Sequence, residues 1–341
     1  MVHIKLKDRS VEYEFTLYDK FTLVSGDSAS GKTSLFDLIS TYYETPYAIQ
    51  CTGYNKLRNL PFSRNINEIE LVLQDNENYV FIADENHPLL CVEGFESVLN
   101  ASNNYFIILC REKLFKNLPI NVRSIVKISN SGKYHKFVPI YQLKSDMSTF
   151  TRMIIEDSKA GKQFLSQFFN NVNDAGQVLG LPGSSKDCIA KAITKCNEDI
   201  CVVFDSSGIG STYDDIVKAY RYYKHRVTEL AWESFESYLL KLDMYNTIAL
   251  EEYDCKYNSY EQYATKQMQN ILSVFPGINY NKSKLPDCFR IRGCNKCNKQ
   301  INCPYFRCKD SALLEGKVKE LANINSLDET NISDLKKINT F

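Results

Sequence analysis

The chain lacks long apolar runs. None of its 341 residues belongs to a stretch that approaches the ~18 consecutive apolar residues of a membrane-spanning helix. Residues 1–15 carry charges throughout and have no apolar core of the kind that a secretory signal peptide needs. We therefore expect a cytoplasmic protein that neither enters a membrane nor is exported.

The sequence also lacks an excess of charge of either sign. Its 41 Lys and Arg residues balance 41 Asp and Glu residues, so only a local patch is expected to attract nucleic acid. By contrast, 44% of the residues are hydrophobic and 12% are aromatic, which is ample for the cores of about two domains. The 12 cysteines are expected to be reduced, which makes a cysteine cluster more indicative of a metal site than of disulfides.

The strongest motif is a glycine-bounded loop that follows an apolar run at residues 21–24 and precedes a helical pattern beginning at Leu35. This is the sequence and the setting of a P-loop, in which backbone N–H groups and a helix start surround phosphate oxygens. We predict that Lys32 faces solvent until it reaches the β- and γ-phosphates of ATP, and that Thr33 holds Mg²⁺. The residues predicted to bind the nucleotide are Gly26, Asp27, Ser28, Ala29, Ser30, Gly31, Lys32, Thr33 and Ser34.

Two acids follow the buried-strand pattern at residues 79–83. Asp84 and Glu85 resemble the Walker B end of the additional-strand class of P-loop ATPases. The resemblance implies that Asp84 binds Mg²⁺ through water and that Glu85 polarises the attacking water. Another apolar run at residues 105–109 is followed by Arg111, which is placed to sense or stabilise a γ-phosphate. The alternative interpretation of residues 79–85 is a buried strand that merely ends at two polar residues.

Features of two other groups of P-loop proteins are missing. No segment resembles the LSGGQ motif of transporter-type ATPases, and the interval between Thr33 and Asp84 has no room for the helical lobe that carries it. An Arg-rich lid of the nucleotide-kinase type is not evident either, which favours ATP hydrolysis over phosphate transfer to a second substrate. Strands at residues 122–128 and 136–141, joined by a turn at residues 130–133, are predicted to finish the sheet as a hairpin.

A second alternation of strands and helices begins near residue 151, which predicts a second α/β domain with a parallel sheet. Glu156 directly follows the first strand pattern and Asp205 follows the third. Acids at the carboxyl ends of parallel strands lie at the edge where such sheets place their sites. The strands are predicted at residues 153–155, 177–181 and 200–204, and the helices at residues 161–172 and 189–193.

This order, with Glu156 after the first strand, Gly183 in the turn after the second and Asp205 after the third, resembles the Toprim fold. That fold occurs in topoisomerases, primases and overcoming-lysogenization-defect nucleases. The resemblance implies that Glu156 acts as a general acid or base and that Asp205, with Glu156, binds Mg²⁺. Asp157 is a supporting match to the same pattern.

One carboxylate of the Toprim pattern is missing. The family usually has Asp-x-Asp, whereas Ser207 stands two positions after Asp205 in this chain. A hydroxyl is a far weaker Mg²⁺ ligand than a carboxylate. Glu233 or Glu236, near the end of the next predicted strand, is a candidate replacement. A degenerate domain that cleaves nothing is the alternative.

The carboxyl-terminal region is different in kind. Residues 246–275 are predicted to be helical, with an aromatic stripe that packs in a core rather than stacking on bases. Further along, five cysteines lie within 21 residues, and two of them have the Cys-x-x-Cys spacing that binds one Zn²⁺ from a single turn. The predicted ligands are Cys294, Cys297, Cys303 and Cys308, with Cys288 as a surplus or alternative ligand. Independent thiols and an iron–sulfur cluster with the same ligands are the alternatives.

The same region is basic. Residues 281–309 hold eight Lys and Arg residues against the single acid Asp287, so they present a patch for nucleic acid, for an acidic partner protein or for solvent alone. The tail beyond this patch is predicted to form one helix and then a frayed end.

We predict an α/β protein with a minimal P-loop ATPase domain at residues 1–148, a Toprim-like domain at residues 149–245 and a helical, Cys-rich extension at residues 246–341. This order resembles that of the overcoming-lysogenization-defect family and of bacterial anti-phage ATPase–nuclease systems. It implies ATP-regulated cleavage of nucleic acid in phage defence or in a mobile element. The alternative is an ATP-dependent switch that recruits a partner effector protein and cuts nothing. Homo-oligomer formation is left open.

Overall fold

The structure is a computed structural model that describes residues 1–27, 29–111, 115, 117–141, 152–169, 178–181, 187–197, 200–223, 227–241, 251–273 and 280–284. The described residues belong to two compact units. The first unit comprises the described residues up to 141 together with Ser207–Ser211 and Glu252–Gln262, and the second unit comprises the others. Each unit has a β-sheet of its own, so the chain is a mixed α/β protein.

Within the described residues, the first unit contains nine strands and three α-helices. The strands are β1 (Val2–Lys7), β2 (Glu12–Leu17), β3 (Phe21–Ser25), β4 (Gln50–Gly53), β5 (Leu57–Asn59), β6 (Val80–Ala83), β7 (Tyr105–Cys110), β8 (Ile125–Ser131) and β9 (Tyr134–Pro139). The helices are α1 (Lys32–Glu44), α2 (Ile66–Asp75) and α3 (Phe95–Ala101).

The nine strands form one mixed sheet in the order β4-β1-β2-β9-β8-β3-β7-β6-β5. The five neighbouring strands from β8 to β5 are parallel to one another. Strand β7 therefore lies between β3 and β6. Because these strands are parallel, their carboxyl ends meet at one edge of the sheet, and the segments that follow them carry the P-loop sequence, the Asp84–Glu85 pair and Arg111.

Helices cover both faces of this sheet. On one face, Leu35 and Ile39 of α1 pack against strand residues such as Ile107. On the other face, α2 and α3 pack against a cluster that contains the stacked rings of Phe81 and Phe106. Each fully buried Leu, Ile or Phe side chain contributes about 1.5–3 kcal/mol relative to its exposed state. The start of α1 is thus held firmly at the carboxyl end of β3.

The predicted hairpin is present, but it does not finish the sheet. Strands β8 and β9 pair in antiparallel orientation on either side of a turn at Gly132, which has φ +61°. The hairpin lies near the middle of the sheet because β9 also pairs with β2, and β2 pairs with β1. Strands β1 and β2 were not predicted, although apolar and polar residues alternate along β1 with the period of two that is typical of a strand.

The second unit has a four-stranded sheet in which every pairing is parallel, so the alternating sequence pattern is confirmed for the described residues. The strands are β10 (Arg152–Ile155), β11 (Val178–Gly180), β12 (Ile200–Asp205) and β13 (Val227–Trp232), in the order β11-β10-β12-β13. The helices are α4 (Ala160–Phe169), α5 (Asp187–Lys195), α6 (Tyr213–Tyr223) and α7 (Phe235–Lys241).

The helix predicted over residues 246–275 is shorter in the structure. Helix α8 spans Tyr260–Ser273, and residues 251–259 before it are not helical. The Ser259 hydroxyl accepts a hydrogen bond from the Gln262 backbone N–H at 3.2 Å, which caps the helix at this point. The predicted packing role of its apolar stripe is confirmed, since Met268 and Ile271 are buried. Among the helices that the structure describes, none combines the length and the apolar composition needed to cross a membrane.

Candidate functional site

The loop after β3 turns back sharply into α1. Ala29 and Gly31 have φ angles of +64° and +92°, in the left-handed region that favours glycine. A Cβ on Gly31 would lie 3.0 Å from the Tyr13 hydroxyl oxygen, a tight contact that adds to the backbone preference for glycine at this position. The Tyr13 hydroxyl donates to the Gly31 carbonyl at 2.8 Å, and the Tyr13 ring stacks on His135. Strands β2 and β9 thereby brace the loop from one side.

Helix α1 begins without a side-chain cap. Its N-cap residue is Gly31, which has no side-chain acceptor, and its first turn has no acidic residue. The first backbone N–H groups of a helix have no partner within the helix, and they carry the positive end of its dipole. Thr33 and Ser34 are exposed at this end. The start of α1 therefore has the charge and the free donors that suit an anion.

Lys32 folds back into the loop. Its Nζ donates to the carbonyl oxygens of Gly26 and Asp27, the second at 3.2 Å, and to Ser30 Oγ at 3.4 Å. The residue is only 6% exposed, so the prediction that Lys32 faces solvent without a ligand is wrong. The reason is local, since the carbonyl groups of the loop replace water as acceptors for the ammonium group.

Three charged side chains converge at this sheet edge. The Nε and Nη2 atoms of Arg111 lie 2.9 and 2.8 Å from Glu85 Oε1. The other carboxylate oxygen, Glu85 Oε2, lies 4.0 Å from Lys32 Nζ. This oxygen is buried and accepts no hydrogen bond from the described residues. A buried polar atom without a partner costs free energy, so Oε2 is an acceptor that a bound water can satisfy.

Asp84 lies beside Glu85 in a tight turn. Its Oδ2 accepts long hydrogen bonds from the backbone N and the Nδ2 of Asn86, at 3.4 and 3.3 Å. The Asp84 carbonyl accepts from the N–H of His87 at 3.0 Å, which closes the turn. Burial lowers the pKa of His87, and its Nε2 donates to the Pro61 carbonyl at 3.0 Å. The hydrogen bonds of His87 thus anchor the turn that carries the two acids.

The second unit brings three acids together. The Asp205 backbone N–H donates to Glu156 Oε2 at 3.1 Å, and carboxylate oxygens of Asp205 and Glu236 lie within 4.8 Å of each other. Of the two replacement candidates, the described geometry therefore favours Glu236 over Glu233. Strand pairing brings the end of β13 to Asp205, since Asp205 pairs with Trp232, and the turn into α7 then places Glu236 near Asp205. Carboxylate oxygens are the ligands that Mg²⁺ and Mn²⁺ prefer, so Asp205 and Glu236 supply two of the donors that such an ion needs.

Sequence reasoning missed the partners of Glu236. The Tyr280 hydroxyl donates to Glu236 Oε1 at 2.6 Å, and Lys282 Nζ lies 3.8 Å from the same oxygen. Burial, and after it the negative charge of Glu236, raises the pKa of Tyr280, so the phenol stays protonated and keeps donating. No motif surrounds Tyr280, and it lies 44 residues after Glu236, so no local signal could have identified it.

Asp157, the supporting match to the Toprim pattern that lies within the described residues, makes contacts that shape the backbone. Asp157 caps α4, because its Oδ1 accepts from the Lys159 N–H at 2.9 Å and its Oδ2 from the Gly161 N–H at 2.6 Å. Tight backbone contact occurs at Gly180, where a Cβ would lie 2.7 Å from the Cα of Ser158. This glycine lets β11 pass close to the segment that follows β10.

Several predicted residues lie outside the described part of the chain. They include one P-loop residue, the glycine predicted in the turn after β11, all five clustered cysteines and most of the basic patch. Those residues are Ser28, Gly183, Cys288, Cys294, Cys297, Cys303, Cys308 and residues 285–309. The predictions made for them stay predictions.

Comparison of the chain with protein-family models finds no match, and comparison with curated proteins finds none either. The geometry at the two sheet edges is therefore what bears on function.

Proposed function

We propose that the first unit binds ATP with Mg²⁺ and hydrolyses the γ-phosphate. The observation that carries this proposal is the convergence of Lys32, Glu85 and Arg111 at the carboxyl ends of three parallel strands. Two cations flank one carboxylate, and that carboxylate retains a buried oxygen without a hydrogen-bond donor among the described residues. Phosphoryl transfer to water needs this set, namely positive charge for the phosphate and an acceptor for the water.

The strand order supports the same proposal. Strand β7 is inserted between β3, which leads into the P-loop sequence, and β6, which ends at Asp84. This order agrees with the resemblance to the additional-strand class of P-loop ATPases. The uncapped start of α1 adds free N–H groups beside the loop, where a phosphate would be bound.

Each side chain then has a role that its position supports. Lys32 and the backbone N–H groups of the loop would hold the β- and γ-phosphates, while Thr33 and Asp84 would hold Mg²⁺ directly and through water. Mg²⁺ would supply neutralisation of the phosphate charge. Glu85 would accept a hydrogen bond from the attacking water through Oε2. Arg111 would stabilise charge on the γ-phosphate.

The test of this proposal is Glu85→Gln. The variant keeps the size of the side chain but loses the charge that polarises water, so we expect it to bind ATP and to hydrolyse it about 10²–10⁴-fold more slowly. Phosphate release under single-turnover conditions measures the rate. Glu14→Gln is the matched control, because it also removes one carboxylate. The Glu14 carboxylate lies on β2 and its ion pairs are with His3 and Lys5. Equal turnover in Glu85→Gln and the native protein would assign the catalytic role to another acid.

A second candidate function concerns the second unit, which we propose to be a Toprim-like, Mg²⁺-dependent nuclease. The specific observation is that Asp205 lies beside both Glu156 and the buried Glu236, with its backbone N–H donating to Glu156 and its carboxylate within 4.8 Å of that of Glu236. Mg²⁺ bound there would neutralise charge on a phosphodiester, and Glu156 would transfer the proton as general acid or base. A role in phage defence or in a mobile element rests on the resemblance of domain order alone. The partner, under this proposal, is a nucleic acid.

The cysteine cluster leads to a separate proposal, a structural Zn²⁺ bound by thiolates. We expect about one Zn²⁺ per chain by elemental analysis, because Cys-x-x-Cys followed by two further cysteines supplies four ligands. Cys297→Ser should lower the zinc content and destabilise mainly the region around the cluster, since structural metal binding is coupled to local folding. Cys188→Ser, outside the cluster, is the control. Metal-free protein with freely titratable thiols would contradict the site, and iron with visible absorbance would indicate a cluster instead.

A further inference from the structure

We infer that Arg111 is a switch residue that Glu85 holds until a nucleoside triphosphate binds, and that the γ-phosphate then takes Arg111 and releases Glu85. This inference rests on the proposed ATPase function and extends it. Under this inference, the Arg111–Glu85 ion pair is what distinguishes ATP from ADP. The two side chains come from segments 26 residues apart, at the ends of β7 and β6.

Arg111 contacts Glu85 through two of its nitrogen atoms. Nε and Nη2 lie 2.9 and 2.8 Å from the same oxygen, Glu85 Oε1. Arg111 has room to turn away from Glu85, because its side chain is 63% exposed, whereas that of Glu85 is 19% exposed. The carboxylate is therefore the fixed partner and the guanidinium is the one that can move.

Two cations share the Glu85 carboxylate without a ligand, which leaves positive charge for an anionic ligand. Glu85 lies between the guanidinium of Arg111 and the ammonium of Lys32, and Lys32 also donates to carbonyl groups of its own loop. A γ-phosphate carries negative charge and several acceptor oxygens, so it competes with Glu85 for the guanidinium. A diphosphate ends one phosphate earlier. It engages the loop and Lys32, and it offers no group at the position next to β7.

Release of Arg111 changes the chemistry of Glu85. While the pair is intact, Oε1 accepts two hydrogen bonds from Arg111 and is occupied by that cation. Once the guanidinium has moved, both oxygens of Glu85 are available to a water, and the positive charge lies on the phosphate instead. The same movement thus frees the acceptor for the water and stabilises charge on the γ-phosphate that the water attacks, while ADP leaves. Glu85 therefore offers both of its oxygens to a water only when the correct nucleotide is present.

Two substitutions are expected to have opposite effects on nucleotide affinity. Arg111→Ala removes the contact to the γ-phosphate, so affinity for a triphosphate should fall about 10-fold or more, toward the affinity for ADP. Glu85→Gln removes the competitor for Arg111, so affinity for a triphosphate should rise about 5- to 10-fold. Affinity for ADP should change less than 2-fold in both, and the double variant should lose the gain of Glu85→Gln.

Titration calorimetry of the full chain with the β,γ-imido analogue of ATP and with ADP, in Mg²⁺, tests these changes without hydrolysis. Arg221→Ala, at an exposed position of α6, and Glu14→Gln are the matched controls, and thermal melting checks that each variant is folded. If native protein binds both nucleotides but the ratio of the two affinities is unchanged in either single variant, the switch is overturned and the P-loop site stands. If native protein binds neither nucleotide, the ATPase proposal itself fails.

Discussion

Replacing Lys32 with alanine is expected to weaken ATP binding by about 100-fold or more while the fold is retained. The ammonium group is buried in the loop, where it already donates to carbonyl oxygens of Gly26 and Asp27. A phosphate oxygen is a stronger acceptor than these carbonyls, so the same ammonium would bind the β- and γ-phosphates with a charge-assisted hydrogen bond. The alanine variant has nothing to replace that interaction.

The effect on stability should be small. Hydrogen bonds of the kind that Lys32 makes contribute about 0.5–1.5 kcal/mol each, and water can reach the acceptors that remain, because Asp27 is exposed. Binding of ATP and thermal melting should be measured together on Lys32→Ala and on Lys32→Met, which keeps the apolar stem. Lys127→Ala, an exposed position on β8, is the control for loss of one positive charge. Unchanged affinity in both Lys32 variants would overturn the nucleotide site.

Asp205→Asn is expected to abolish metal-dependent cleavage of nucleic acid while ATP hydrolysis continues at the native rate. The substitution keeps the size of the side chain but removes a carboxylate from the cluster with Glu156 and Glu236. A hard divalent cation needs anionic oxygens, so we expect a loss of about 10³-fold or more in cleavage. Mn²⁺ should support more cleavage than Mg²⁺ in the native protein, because it accepts mixed ligands more readily.

Nicking of plasmid DNA and cleavage of labelled RNA, each with Mg²⁺ or Mn²⁺, measure this activity. Glu156→Ala should behave like Asp205→Asn, whereas Asp215→Asn on α6 is the control, since its exposed carboxylate pairs with Lys218. Tyr280→Phe should reduce cleavage less than either, because it removes one hydrogen bond to Glu236 and leaves every carboxylate in place. No cleavage of any substrate by native protein, with ATP turnover intact, would favour the alternative, a switch that recruits a partner effector.

Much of the first unit was accessible from the sequence. The strand–loop–helix order around the P-loop sequence, the strand before Asp84 and the strand before Arg111 all lie where they were predicted. These are contiguous apolar runs bounded by polar residues, and each depends on neighbours within a few positions. The position of the β8–β9 hairpin was not accessible, because it depends on β2, which precedes the P-loop in the chain and pairs with β9.

In the second unit too, some features could be predicted from the sequence and others could not. Parallel pairing and the meeting of Glu156 with Asp205 follow from strands that alternate with helices, since parallel strands bring their carboxyl ends to one edge. The sequence offered Glu233 and Glu236 on equal terms. Only the turn from β13 into α7 separates them, and it places Glu236 near Asp205 and Tyr280.

The sequence by itself determined where phosphate-binding and acidic residues stand along the chain, because those signals reside in short segments with a fixed spacing. Tertiary structure alone decided which charges meet. Arg111 lies 26 residues from Glu85, and Tyr280 lies 44 residues from Glu236, so both contacts depend on how strands are ordered and how distant segments fold back. Hydrogen bonds and ion pairs act over a few ångströms, and the residues near a position in the sequence do not show which distant residue comes within that range.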